Sequence, residues 1–170
     1  KPSSLTEGEL ALVKRHAAAG YDLLAPLYGA QGTVARVALE HHERLDGSGY
    51  PRHLRGHQTV LAARVVAVAD VFDAMTSNRV YKPSQPEYAV LGHLRDSGFS
   101  LLDPRLIRVF VQHLVYRTLG RLVRLSNGQV GHVILVDSRN PAKPIVAVGD
   151  TLIDLRRTPG LELTGELRHA

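Results

Sequence analysis

The chain contains no cysteine among its 170 residues, which excludes disulfides and thiolate metal sites. That absence also fits a cytoplasmic location, the one expected here. No apolar run reaches the length of a membrane span, because Arg64 and Asp70 interrupt the longest one. A membrane is therefore not an expected partner. The opening residues, KPSSLTEGEL, lack the apolar region of a signal peptide and read as a loop from the middle of a domain. There is no internal repeat and no low-complexity segment.

What is present suits a globular protein: 44% hydrophobic residues and 22% charged. The formal charge of +5 is compatible with a phosphate-bearing partner, but the basic residues are scattered. A surface kept soluble by arginine accounts for them equally, and nucleic acid is not an expected partner. Nine histidines are the more suggestive feature.

Thr6-Glu7-Gly8-Glu9 reads as a capping box that opens a helix. Leu12, Val13, His16, Gly20, Leu23 and Leu24 continue it at helical spacing, until the stretch from Pro26 to Gly32 breaks it. A second helix is expected from Thr33 to Arg44, and a glycine-rich loop from Asp46 to Gln58. A third, over Thr59 to Ser77, is apolar nearly all round (LAARVVAVADVFDAM) and is expected to be the central buried helix. Two more helices are expected at 85–97 and 104–118, the latter with Pro104 in its first turn. After Gly120 the pattern alternates. Asn127-Gly128 between RLVRLS and QVGHVILVD predicts a hairpin, and KPIVAV and TLIDL predict further strands. The expected fold is mainly α, with helices over 1–118 and a small β-rich tail over 119–170.

Four residues carry potential chemistry: His16, His41, His42 and Asp70, each in an otherwise apolar helical setting. A single histidine such as His16 is equally well a satisfied core residue. An aspartate within VVAVADVF is harder to dismiss, because a buried carboxylate must be paired, protonated or bound to metal. Arg64 is six positions away and shares the helix face poorly. Imidazoles with carboxylates suit zinc, iron or manganese. Adjacent His41 and His42 diverge by about 100° on an ideal helix, so both can ligate only near a helix end or by bracketing two metals. Paired metals about 3.5–4 Å apart suit phosphoryl chemistry. Gly47 and Gly49 then allow a tight turn, and Tyr50 offers a face for a base. Arg79 and Lys82, at the end of the Asp70 helix, either complement its dipole or clamp phosphate.

The stretches HHERLDGSGYP (41–51) and AARVVAVADVFDAMTSNRVYK (62–82) closely resemble the HD-GYP family, bacterial phosphodiesterases of the HD superfamily. LTEGELALVKRHAAAGYDLL, FSLLDPRLIRVFVQHL and LGRLVRLSNGQVGHVI extend the resemblance over nearly the whole chain. It implies a helical HD-type fold and hydrolysis of cyclic di-GMP to pGpG and GMP. His16, His41, His42 and Asp70 match the family's metal ligands. Gly49, Tyr50 and Pro51 are its signature tripeptide, and Tyr50, Arg79 and Lys82 match substrate contacts. Two or more divalent ions, iron or manganese, are implied as cofactors. Signalling proteins docking at the GYP loop, and an upstream sensor or receiver domain, are implied as partners.

One departure stands out. The His-Asp pair that names the family is absent, since no histidine here is followed directly by aspartate. The expectation is an N-terminally incomplete domain, with an uncovered apolar face and weak or no hydrolysis by these 170 residues alone. The alternative is a degenerate module that binds cyclic di-GMP or partner proteins without catalysis.

Overall fold

The structure, a computed structural model, describes residues 5–77, 87–97 and 101–167. Arg79 and Lys82 lie outside the described residues. Among the described residues, five α-helices come first: α1 (Glu7–Tyr28), α2 (Thr33–Glu40), α3 (Leu61–Thr76), α4 (Glu87–Ser97) and α5 (Pro104–Thr118). Five strands follow: β1 (Leu122–Leu125), β2 (Val130–Leu135), β3 (Ile145–Val148), β4 (Thr151–Asp154) and β5 (Leu163–Leu167). The described residues form two compact units, within the bounds Lys1–Ser84 plus Ser97–Ile107, and Gln85–Asp96 plus Arg108–Ala170. The sequence reading sets its boundary at residue 118, whereas compactness groups most of α4 and most of α5 with the strands.

In the first unit the capping box forms as expected. The Glu9 amide donates to Thr6 Oγ1 at 3.3 Å, and the Thr6 amide donates to Glu9 Oε2 at 2.8 Å. Helix α1 outlasts its expected break, because Pro26 lies inside its last turn. A proline there forfeits one backbone bond near an end that has few left to lose. The chain leaves the helix only at Gly29, whose φ of +80° suits glycine. Helix α2 is shorter than expected and ends at Glu40, with His41 as its C-cap. Fully buried Ala17 and Ala35 place small side chains within this unit. A Cβ on Gly20 would stand 3.4 Å from that of Ala38, so α1 and α2 approach closely.

Helix α3 corrects a larger expectation, since it is not buried all round. Ala63, Ala67 and Val68 are buried, but Leu61, Val65 and Val66 are exposed. Leu23, Leu27 and Tyr28 of α1 are exposed as well.

The second unit holds an antiparallel sheet in the order β4-β3-β2-β1-β5. Five strands make it larger than the small tail expected. The unforeseen strand is β5, whose LTGEL mixes glycine, polar and charged residues and so hides the alternation. The Asn127-Gly128 hairpin forms with Val123 opposite Gly131, Gly128 at φ +87° and the Gln129 amide donating to Asn127 Oδ1 at 3.1 Å. Val123, Leu125, Val133, Val146 and Leu155 bury against Tyr88 of α4.

Candidate metal centre

Three histidines separated in sequence meet at one point. His16 projects from α1, and His41 and His42 follow the end of α2. Their ligating ring nitrogens all lie within 4.8 Å of one another. His16 Nε2 is 3.2 Å from His41 Nε2 and 3.1 Å from His42 Nε2.

The far nitrogens decide what these contacts are. His16 Nδ1 lies 2.7 Å from the Val13 carbonyl, and His41 Nδ1 lies 2.9 Å from that of Ala38. A carbonyl only accepts, so each Nδ1 carries the proton and each Nε2 presents a lone pair. His42 Nδ1 lies 3.6 Å from Asp70 Oδ2, and a proton held there leaves its Nε2 bare too. Three lone pairs facing one another repel unless a cation stands among them. A proton is a poor candidate: burial and the neighbouring His41 push the His42 pKa down to about 4. The donor set fits a divalent ion held by His16, His41 and His42, with carbonyls behind the rings fixing their tautomers.

Asp70 does not join the point where the three imidazoles meet. Its carboxylate faces the other nitrogen of His42, and its side chain is 40% exposed. The premise of a buried carboxylate in need of a cation therefore fails. The case for a cation rests instead on the histidine lone pairs. Arg64 is not its partner either, since its Nη1 donates to Asp103 Oδ2 at 2.6 Å.

The loop after the histidines is fastened by two buried glutamates. Glu43 accepts from the Arg52 amide at 2.7 Å and the Leu54 amide at 2.9 Å. Glu40, fully buried, accepts from Arg36 Nε at 2.8 Å, from the Arg52 guanidinium and from the Val60 amide at 2.9 Å. One carboxylate thus ties α2, the loop and the start of α3 together. Within the loop, Asp46 Oδ1 accepts from Ser48 Oγ at 2.7 Å, and the Tyr50 amide donates to the His42 carbonyl at 3.2 Å. A Cβ on Gly49 would stand 2.4 Å from Glu43 Cα and from the Arg44 amide nitrogen. Gly49→Ala is expected to push the loop outward and cost about 1–3 kcal/mol, as overpacking does. Denaturant unfolding checks it; a stability equal to wild type would show that the loop yields freely.

This packing lays Tyr50 against the three-histidine cluster. Its ring stacks on His42 at 4.7 Å between centroids, tilted 28°, and meets the His16 ring edge-on at 6.5 Å. Burial raises the Tyr50 pKa, so the phenol stays protonated at neutral pH.

Known proteins share much of this sequence. Residues 1–106 match the model of the HD domain family. The chain belongs to the HD domain family. A cyclic di-GMP phosphodiesterase of Pseudomonas aeruginosa is 38% identical to this HD domain protein over 148 residues, 87% of this chain and 36% of the relative. The cyclic di-GMP phosphodiesterase response regulator RpfG of Xanthomonas campestris is 48% identical over 111 residues, 63% of this chain and 29% of the relative. The chain thus spans about a third of the length of the curated relatives it matches. Among solved structures, an HDG"Y"P protein from Bdellovibrio bacteriovorus matches with a TM-score of 0.54 at 21% identity. That match covers 67% of this chain and 36% of the other, and it is a likeness of fold. The resemblance to HD-GYP proteins read from HHERLDGSGYP is borne out. No helix among the described residues of this HD domain protein is long and apolar enough to cross a membrane.

Glu40 and Lys14 are the site-associated residues that the sequence reading passed over. Glu40 carries one signal, an arginine four positions earlier. Lys14, whose ammonium stands 5.1 Å over the Tyr50 ring, carries none.

Proposed function

We propose that this chain carries the histidine-rich part of a metal-dependent phosphodiesterase site acting on cyclic di-GMP. The observation that carries the proposal is the meeting of three Nε2 lone pairs at one point, 3.1–3.2 Å apart in the two closest contacts. His16, His41 and His42 would hold a divalent ion, iron or manganese, and Asp70 would orient His42. An ion held there supplies Lewis-acid activation of water and of phosphoryl oxygens when bound. Gly49 lets the loop approach, and Tyr50 and Pro51 present it to the nucleotide; Arg79 and Lys82 are assigned to its phosphates. The names of the two curated relatives support the substrate.

In the reaction, water adds across one P–O3′ bond of the cyclic dinucleotide. Its hydroxyl goes to phosphorus, its proton ends on the released 3′ oxygen, and linear pGpG results. Cleavage of the second diester gives GMP. The setting assigned is cytoplasmic signalling, with a sensor or receiver domain and GYP-loop partners.

A second reading, binding of cyclic di-GMP without hydrolysis, is favoured by one observation. Among the described residues, the grouped donors surround a single point rather than two. Phosphoryl chemistry by paired metals needs a second set of ligands. Weak or absent turnover by this chain alone is therefore the expected outcome. The test is chromatographic detection of pGpG and GMP from cyclic di-GMP, with and without manganese or iron. The mixed guanine–adenine cyclic dinucleotide serves as competitor. Metal-dependent pGpG formation sinks the binding-only reading. Tight binding with no product sinks catalysis by this chain, and neither binding nor product sinks both.

A further inference from the structure

We propose that Lys14 is a substrate-binding residue of this site, its ammonium taking a phosphate oxygen of the dinucleotide at the rim of the three-histidine centre. The assignment rests on the cyclic di-GMP reading above and deepens it.

Two of the cations near Tyr50 are already committed. The Arg44 guanidinium donates to the His41 and Glu43 carbonyls, at 3.3 and 2.9 Å. Arg52 is held by Glu40. Lys14, on exposed α1 surface, has no carboxylate within ion-pair distance among the described residues, and its ammonium rests over the Tyr50 ring instead. A cation–π contact at an exposed site is weak, and a lysine on four rotatable carbons leaves it easily. A phosphate oxygen offers that ammonium a charge-assisted bond, the stronger of the two contacts. The same ring is the one stacked on His42, so the ammonium waits beside the point where the three imidazoles meet.

The exchange has a second consequence. Tyr50 carries the ammonium in the free protein, and phosphate binding draws that charge off the ring. Lys14 thus couples phosphate recognition to the availability of Tyr50 for a base.

The experiment compares wild type with Lys14→Met and Lys14→Arg, using the purified protein loaded with manganese. The dissociation constant for cyclic di-GMP is measured by calorimetry, with KM and kcat wherever product forms. Lys14→Met is expected to weaken binding about tenfold, the worth of one charge-assisted contact. Lys14→Arg should restore most of it. Metal content should be unchanged, and kcat should change far less than KM. Unchanged affinity in Lys14→Met overturns the assignment, as does failure of Lys14→Arg to restore it. Loss of metal in Lys14→Met overturns it too, because the residue would then act through the histidines. If wild type itself does not bind cyclic di-GMP, the functional reading falls and takes this one with it.

Discussion

Glu40→Ala is expected to lower the unfolding free energy by roughly 3 kcal/mol, toward the low end for a broken buried ion pair. The carboxylate is fully buried and accepts from Arg36, Arg52 and the Val60 amide. Its removal leaves a buried amide without an acceptor and two guanidiniums without a counter-charge. The guanidiniums keep the cost from rising further, since the Arg36 and Arg52 side chains are 27% and 46% exposed and can turn to water. Glu40→Gln, which retains an acceptor oxygen, should cost less. The measurement is denaturant unfolding monitored by circular dichroism. A change within about 0.5 kcal/mol, ordinary for a surface substitution, would show that Glu40 does not fasten the loop.

His16→Ala should reduce divalent-metal affinity by more than about a hundredfold, beyond the 10–100-fold typical of residues that only orient a ligand. His16 is the imidazole that makes both close Nε2 contacts, to His41 and to His42. It sits on the surface of a long helix, where alanine is the better helix former, so the fold should survive. The metal-free variant should be as stable as metal-free wild type or more so, because one of the repelling lone pairs is gone. Asp70→Asn should fall in the 10–100-fold class, since Asp70 faces His42 Nδ1 rather than the common point. Titration with manganese, iron and zinc, together with metal analysis, separates these outcomes. Equal losses for His16→Ala and Asp70→Asn would mean that the carboxylate ligates directly.

Much of this was legible in the sequence because the signals are local. Thr6 and Glu9 announce a capping box four residues long, and Asn127-Gly128 announces a hairpin through two residues. Gly49 stands out only beside its loop neighbours, yet its close approach to Glu43 and Arg44 spans five or six positions and was within reach of a turn argument. Pro26 misled, because a proline near a helix end loses less than one in its middle. Strand β5 escaped because a register set by β1 needs no alternation of its own.

The sequence by itself determined the chemistry available to this protein. Without cysteine, no thiolate reaches a metal, and HHERLDGSGYP supplies two imidazoles and a glycine-hinged aromatic within eleven residues. Only the tertiary structure decided which nitrogen of each ring faces the others. It also decided that Asp70 stands behind His42 in partial contact with water, that Glu40 fastens the loop and that Lys14 rests on Tyr50. The reason is the range of the interactions. Helical and strand periodicity reports neighbours a few residues apart, whereas His16 reaches His41 across 25 positions because small side chains let α1 and α2 approach.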